Sequence, residues 1–172
     1  MKKSEIRNRI INLRKENYSE DIKIDPDSII KFLKKKKFKK KIVGSYYPYN
    51  YEVNVIPILE KLERSKYIIS FPKIGKNSSM NFFVWSKNDP LKINKYGIPE
   101  PITNKIIFPD ILLVPMVAYD KNYNRVGYGG GFYDRYIKKI KKIKEILTIG
   151  LAFSYQKVKK IPIEKNDIKV DF

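Results

Sequence analysis

Apolar side chains along the chain follow two alternating spacings, which predict helices and strands in turn. Residues 2–17 have apolar positions at Ile6, Ile10 and Leu13 with charges between them, which is the spacing of an amphipathic helix. Short runs rich in β-branched or aromatic residues predict strands at 42–47, 67–71, 81–85, 111–117 and 146–153. Strands that alternate with helical segments indicate an α/β fold with a mainly parallel sheet.

Three more helices are expected between the strands. Asp25 followed by proline is a helix start, and the apolar spacing extends this helix to about Lys37. Asn54 is a candidate cap for a helix through Leu62, and the lysine-rich residues 136–146 have helical spacing.

The prolines divide the chain further without marking a domain boundary. Pro72 is expected to end the strand before it. Residues 86–110 contain four of the ten prolines and predict a long irregular segment, either a binding loop or a stiff connector. At 172 residues the chain is expected to form one domain over 1–172.

Residues 125–134, Arg-Val-Gly-Tyr-Gly-Gly-Gly-Phe-Tyr-Asp, are the densest group of glycines in the chain. They follow an apolar strand and precede a helical segment, so backbone N–H groups there can face an anion. The spacing is neither that of GxGxxG, because Phe132 replaces the last glycine, nor that of a Walker loop. A flexible connection is the alternative interpretation.

Two residue types are missing, and their absence excludes whole classes of chemistry. The chain has no cysteine and no histidine, which excludes disulfides, thiolate nucleophiles, Ser-His-Asp triads and almost all zinc sites. Chemistry must therefore depend on carboxylates, cations, hydroxyls or backbone N–H groups, with or without a hard metal ion. No apolar run has the length of a membrane span and no signal-peptide core is present, so a cytoplasmic protein is expected.

The formal net charge is +19, which raises the question of a polyanionic partner such as nucleic acid. Lysine, isoleucine, asparagine and tyrosine are all abundant, as an AT-rich coding bias would produce. The densest runs, 34–41 and 138–144, then represent solvated helix faces. An RNA-binding protein would have aromatic residues interleaved with lysines on strands, whereas these runs fall on predicted helices.

Taken together and in order, these segments resemble the 5-formyltetrahydrofolate cyclo-ligase family over nearly the whole chain. Residues 125–135 are the most specific part of the resemblance. The other matching segments are Lys3–Arg7, Tyr46–Pro48, Glu52–Val53, Phe71–Pro72, Tyr96–Pro101, Asp110–Pro115, Gly150–Phe153, Gln156, Ile161–Pro162, Asn166–Asp167 and Val170–Asp171. In one position the chain departs from the pattern, since Tyr128 stands where many members of the family have arginine.

The resemblance implies a three-layer α/β/α domain with a Rossmann-like sheet. It also implies conversion of 5-formyltetrahydrofolate and ATP to 5,10-methenyltetrahydrofolate, ADP and phosphate with Mg²⁺. The formyl oxygen takes the γ-phosphoryl group, and N10 then closes the ring. The small-molecule partners are ATP and the folate, with or without a polyglutamate tail, and neither membrane nor nucleic acid is expected. An inactive relative that binds folate or nucleotide is the alternative.

The resemblance also assigns roles to individual residues. ATP binding is implied for Lys3, Arg7, Arg125, Gly127, Tyr128, Gly129, Gly130, Gly131, Phe132 and Tyr133. Folate binding is implied for Tyr47, Glu52 and Tyr96, with Glu52 as the partner of the pterin. Catalytic roles fall to Arg125 and Asp134. The Mg²⁺ ligands are Asp134 and Asp167, with Asp171 as a nearby alternative to Asp167.

Overall fold

The computed structural model describes residues 1–19, 24–36 and 40–172 of the chain. Helices within these ranges are α1 (Lys3–Glu16), α2 (Pro26–Lys35), α3 (Ile56–Arg64) and α4 (Phe132–Ile140). Strands within them are β1 (Ile42–Gly44), β2 (Ile68–Ile74), β3 (Met80–Trp85), β4 (Leu91–Ile93), β5 (Pro99–Pro101), β6 (Ile106–Ile107), β7 (Ile111–Pro115), β8 (Ala118–Tyr119), β9 (Arg125–Val126) and β10 (Leu147–Leu151).

The main sheet of the described residues has six strands in the order β10–β7–β1–β2–β3–β6. Strands β10, β7, β1 and β2 run parallel to one another, whereas β3 and β6 add antiparallel pairs at one edge. This confirms the predicted α/β class with a mainly parallel sheet. The crossovers from β1 to β2 and from β7 to β10 contain α3 and α4, as parallel neighbours require.

Helices cover both faces of the sheet, which gives the three layers. On one face, Leu33 of α2 and Leu59 of α3 belong to the same buried cluster as residues of β1, β2 and β7. On the other face, Ile137 and Ile140 of α4 pack with Leu112. Side chains of β7 alternate between the two clusters, so both of its faces are buried and its sequence is apolar throughout.

Helix α1 lies beside the hairpin that β8 and β9 form. Its Ile6 and Ile10 are buried in a third cluster with Ala118 and Val126 of the hairpin. Ile6 and Ile10 are four residues apart and therefore lie on one face of α1. Residues 3, 7 and 14 lie beside this face, and so they lie close to the loop after β9. The packing of α1 therefore determines where its basic residues can reach.

The strand before the glycine loop differs from the prediction. The run 111–117 was expected to be one strand, but β7 ends at Pro115 and the hairpin β8–β9 follows. Asp120 stabilises the hairpin turn, because its Oδ1 accepts hydrogen bonds from the N–H groups of Asn122 and Asn124 at 2.9 and 3.1 Å. The glycine loop thus follows β9 and not the buried central strand.

Three further strand predictions were wrong in their bounds. Strand β2 continues through Pro72 to Ile74. Its pairing with β1 ends at Ser70, so no hydrogen bond to β1 requires the backbone N–H that Pro72 lacks. Strands β1 and β10 are shorter than the predicted runs 42–47 and 146–153. Residues 86–110 are not irregular throughout, since they contain the hairpin β4–β5 and the edge strand β6.

The first two helices agree closely with the sequence. Helix α1 occupies nearly all of 2–17. Helix α2 begins after Asp25, whose carboxylate accepts the N–H of Asp27 at 3.0 Å, so the predicted cap is confirmed. This helix ends at Lys35, and its predicted end at Lys37 lies outside the described residues.

The other two helices differ from the sequence predictions at their ends. Helix α3 has Val55 and not Asn54 as its N-cap, although the Asn54 side chain accepts the N–H of Ile56 at 3.1 Å. Helix α4 covers 132–140 and not 136–146. Beyond its end the apolar spacing no longer faces the core, since Ile143 is 61% exposed. None of the helices described here is long and apolar enough to cross a membrane.

Candidate active site

The glycine loop lies between β9 and the N-terminus of α4. Gly129 and Gly131 have φ angles of 100° and 63°, a left-handed conformation that side chains other than glycine rarely adopt. Gly131 is also the N-cap of α4, which begins at Phe132. The loop therefore ends at the positive end of a helix dipole, where backbone N–H groups favour an anion.

Three guanidinium groups surround this loop. Arg7 of α1 donates through Nε to the carbonyl of Gly127 at 2.8 Å, and its Nη2 lies 3.4 Å from where a Cβ on Gly129 would be. Arg135 donates to the carbonyl of Gly130 at 2.8 Å. Arg125 forms the base of the loop and is buried. Of these three, Arg135 was not assigned a role in phosphate binding from the sequence.

Arg125 and Asp134 form a largely buried ion pair. Arg125 Nη2 lies 2.8 Å from Asp134 Oδ1, and the same oxygen accepts the N–H of Ile168 at 3.1 Å. Arg125 Nε is buried without a hydrogen-bond partner among the described residues. The charge of Arg125 is therefore compensated mainly by Asp134, at the start of α4.

The chain returns to this point near its end, as the sequence predicts for Asp167. The N–H of Ile168 donates to the Asp134 carboxylate. Lys3 Nζ donates to both carboxylate oxygens of the adjacent Asp167, at 2.7 and 2.5 Å. Lys3 also lies 3.3 Å from Glu164. Both predicted metal ligands thus lie at the glycine loop, each in contact with a cation that the resemblance assigns to ATP.

The carboxylates suit a hard metal ion only in combination with substrate phosphates. Among the described residues, no three acidic, histidine or cysteine side chains come together as a metal cluster. One or two carboxylates plus phosphate oxygens are nonetheless the usual set for Mg²⁺. Asp171, the alternative ligand, instead accepts the N–H and hydroxyl of Thr148 at 2.8 and 2.6 Å, which fixes the end of the chain to β10.

Glu52 lies in the loop that follows β1. This loop turns sharply at Asn50 and Tyr51, which have positive φ angles of 49° and 59°. Glu52 is only 9% exposed, and its Oε2 accepts the N–H of Tyr49 at 3.0 Å. Burial raises the pKa of Glu52 from 4.5 to about 7, against the lowering effects of the Tyr49 N–H, the Arg14 charge and the Tyr128 hydroxyl.

Two buried tyrosine hydroxyls face Glu52 as well. The charge of Glu52 contributes to raising the pKa of both Tyr46 and Tyr133, after burial. Tyr46 donates to the carbonyl of Val53 at 3.2 Å, whereas the Tyr133 hydroxyl has no hydrogen-bond partner among the described residues. A buried hydroxyl without a partner is free to bond a ligand that enters here.

The two remaining folate candidates lie on different elements. Tyr47 is in the Glu52 loop and packs edge-on against Phe71 of β2, with ring centroids 6.0 Å apart. Tyr96 is 46% exposed and lies 6.4 Å from the ring of Phe132, at the start of α4. The turn of residues 94–98 holds Tyr96 there, because Asn94 Oδ1 accepts its N–H at 2.9 Å.

Arg14, for which the sequence predicts no role, lies at the centre of these loops. Its guanidinium is 1% exposed and donates to the carbonyls of Asn50 and Met116 and to the Tyr128 hydroxyl. One signal in the sequence pointed to it. Arg14 continues the spacing of four set by Ile6 and Ile10, so it lies on the buried face of α1.

Comparison with known proteins supports, over the whole chain, the family that the sequence resembles. The model of the 5-formyltetrahydrofolate cyclo-ligase family matches residues 1–172. The 5-formyltetrahydrofolate cyclo-ligase of Haemophilus influenzae is 31% identical over 135 residues, 74% of this chain and 72% of that protein. That of Escherichia coli K12 is 31% identical over 133 residues, 73% of this chain and 72% of that protein.

A solved structure agrees with both the sequence match and the fold. The NMR structure of Aquifex aeolicus 5,10-methenyltetrahydrofolate synthetase superposes with a TM-score of 0.81 and 29% identity, over 99% of this chain and 88% of that one. The family pattern therefore extends across the sheet, the glycine loop and the loop that carries Glu52. From the sequence match and the shared fold together, we conclude that the chain belongs to the 5-formyltetrahydrofolate cyclo-ligase family.

Proposed function

We propose that this chain converts 5-formyltetrahydrofolate to 5,10-methenyltetrahydrofolate and uses ATP to do so, releasing ADP and phosphate. One arrangement carries the proposal at the level of residues. A glycine loop at a helix N-terminus, with arginines around it, lies beside a buried carboxylate on the neighbouring loop. Contact between Tyr49 and Tyr128, with ring centroids 6.4 Å apart, joins the two loops. A nucleotide and a folate can therefore meet between them.

The ATP phosphates would lie against the backbone of the glycine loop. The N–H groups at the start of α4, which begins at Phe132, are available there, because the first turn of a helix leaves its donors without partners. Arg7 and Arg125 supply positive charge on two sides of the loop, and Lys3 supplies it from the start of α1. This arrangement neutralises the transferred group and positions it without a general base.

The folate would lie against the loop after β1. A pterin presents an amino group and a ring N–H side by side, and the Glu52 carboxylate can accept from both. Tyr47, on the same loop, and Tyr96, beside Phe132, supply aromatic surface for the apolar part of the substrate. Because Glu52 is buried, a hydrogen bond to it is stronger than one made in water.

The reaction itself needs positioning and charge more than proton transfer. The formyl oxygen attacks the γ-phosphorus and ADP leaves; N10 then attacks the activated carbon and gives up its proton, and the carbon–oxygen bond breaks to release phosphate, which can carry that proton away. Neither attack needs a histidine, and the chain has none. Asp134 and Asp167 would hold Mg²⁺, which supplies positive charge at the phosphates. Arg125, fixed by Asp134, would hold positive charge beside the transferred group.

The experiment is an absorbance assay for the methenyl product. Purified protein is given 5-formyltetrahydrofolate with and without ATP, and with and without Mg²⁺. We expect product only when both are present, and failure of the wild-type protein to form it with ATP and Mg²⁺ would refute the proposal. A single domain over 1–172 and a cytoplasmic location stay predictions.

A further inference from the structure

Arg14 is a buried cation whose hydrogen bonds go to neutral oxygens. Its guanidinium donates to the Asn50 carbonyl at 3.0 Å, the Tyr128 hydroxyl at 2.7 Å and the Met116 carbonyl at 2.9 Å. Within the described residues it makes no ion pair, and its Nε is buried without a partner. Burying a charge with so little compensation costs free energy of folding. We therefore expect Arg14 to have a specific role at this place.

The three partners of Arg14 belong to three different segments of the site. Asn50 is in the loop that carries Glu52, Tyr128 is in the glycine loop, and Met116 follows the central strand β7. Gln156 donates to the same Met116 carbonyl at 2.8 Å, so this anchor point is itself held in place. Arg14 thus ties the two candidate substrate loops to each other and to the sheet.

Tyr128 contacts the loop that carries Glu52 although it belongs to the glycine loop, because its ring centroid lies 6.4 Å from that of Tyr49. Its ring is 42% exposed, while its hydroxyl accepts from Arg14. The same hydroxyl lowers the pKa of Glu52, as a donor to that carboxylate would. Burial, followed by the Glu52 charge, raises the pKa of Tyr128 to about 12, so the phenol keeps its proton and can donate. Arg14 therefore donates to a hydroxyl that still has its own proton to give to an acceptor on the neighbouring loop.

We propose that Arg14 is a positioning residue of the folate site, which holds the Tyr128 hydroxyl beside the loop that carries Glu52 and so links the glycine loop to that loop. This inference rests on the proposed function, because it takes Glu52 as the acceptor for the pterin. It assigns Tyr128 to the folate and not to the phosphates of ATP. The loop backbone and the other arginines are left to bind the nucleotide.

The groups that face Glu52 determine the expected effect on pH dependence. They are Arg14 from α1, Tyr128 from the glycine loop, Tyr133 from α4 and Tyr46 from the segment after β1. Arg14 and Tyr128 favour the carboxylate, while the two other tyrosines are neutral at physiological pH because their pKa values are raised. Loss of the Tyr128 hydroxyl should therefore raise the pKa of Glu52 and leave less carboxylate for the pterin near pH 7.

The main test is Tyr128→Phe, which removes one hydroxyl from a partly exposed ring. We expect KM for 5-formyltetrahydrofolate to rise by about tenfold, the usual scale for a hydrogen bond to a charged group, with KM for ATP unchanged. The acid limb of the pH profile of kcat/KM for the folate should move to higher pH. Tyr123→Phe changes an exposed tyrosine in the hairpin turn and is the matched control. A changed KM for ATP with an unchanged KM for the folate would overturn the proposal.

A double-mutant cycle tests whether Arg14 acts through Tyr128. The variants are Arg14→Gln, Tyr128→Phe and both together, with Arg9→Gln on the exposed face of α1 as the charge control. If Arg14 acts through Tyr128, the double variant should bind the folate no more weakly than Arg14→Gln alone. Arg14→Lys should recover part of the affinity. Fully additive losses would mean that the residues act independently, which contradicts the proposal.

Direct binding separates this inference from the proposed function. Affinity for 5-formyltetrahydrofolate is measured by calorimetry without ATP, and melting temperatures show which variants are folded. If the wild-type protein binds the folate but forms no product, the proposed reaction fails while the role of Arg14 is still measurable. If Arg14→Gln does not fold, Tyr128→Phe alone decides, and unchanged folate affinity in that variant refutes the proposal.

Discussion

Glu52→Gln should make the unliganded protein more stable at pH 8 while it weakens folate binding at the same pH. Burial raises the pKa of Glu52 from 4.5 to about 7 in the folded chain. Between pH 4.5 and about pH 7, the Glu52 side chain is mostly ionised in the unfolded chain and mostly protonated in the folded chain. The unfolded state binds fewer protons there, so the free energy of unfolding falls as pH rises. Glutamine cannot ionise, and the variant escapes this loss.

The size of the effect follows from the shift in pKa. A shift of this size corresponds to about 3 kcal/mol at pH 8, above both values, and to less than about 1 kcal/mol at pH 5. For a chain of this length, about 3 kcal/mol corresponds to a difference in melting temperature of roughly 6–12 °C. The measurement is thermal unfolding by circular dichroism at pH 5 and pH 8, without ligands, for the wild type and the variant.

Folate binding should change in the opposite direction. Glutamine removes the charge and presents an NH₂ group to the donors of the pterin, so affinity should fall by about tenfold or more while ATP binding stays the same. The control is Glu60→Gln on α3, which removes a carboxylate that forms an ion pair with Lys87. If Glu52→Gln loses stability between pH 5 and pH 8 as steeply as the wild type, the raised pKa of Glu52 is not the cause.

Three other perturbations test the glycine loop and the charge. Asp134→Asn should lower ATP-dependent turnover by about a hundredfold, because the site loses both the carboxylate that would hold Mg²⁺ and the buried partner of Arg125; normal turnover at limiting Mg²⁺ would contradict the metal assignment. Gly131→Ala forces an alanine to a φ of 63° and should destabilise the protein by about 1–2 kcal/mol in denaturant unfolding. Gly127→Ala, whose Cβ meets nothing closer than 3.6 Å, should cost less, and equal losses would rule out strain at Gly131. With a net charge of +19, KM for a polyglutamylated folate should rise with salt more than KM for the monoglutamate, and equal salt dependence would contradict electrostatic steering of the tail.

The parts of the fold that the sequence predicted are those set by local chemistry. Asp25 and Pro26 start α2 because a cap and a fixed φ act within one turn. Strand β7 is apolar at every position because helices cover both of its faces. Likewise, glycines with positive φ angles precede the start of α4. In each case the residues whose pattern predicts the element lie within it or directly beside it in the sequence.

The errors arose where distant parts of the chain decide the structure. Pro72 is tolerated inside β2 because its neighbour β1 ends earlier, which the sequence around Pro72 does not encode. The hairpin β8–β9 depends on Asp120, which also accepts the N–H of Ile161 from another segment at 3.1 Å. Arg14 was missed for the same reason, because its partners lie 36, 102 and 114 residues away.

The positions of the basic residues on α1 show how much of the charge an AT-rich coding bias can explain. Lys3, Arg7 and Arg14 contact, respectively, Asp167, the glycine loop and the Glu52 loop, so one face of a single helix joins three segments of the site. Bias towards lysine codons does not account for two arginines held by specific carbonyls. Most lysines of the run 138–144, by contrast, are exposed, as a solvated face requires. The basic residues near the site are therefore held by specific contacts. The salt dependence of KM measures how much the exposed lysines add to the electrostatic attraction of the substrate.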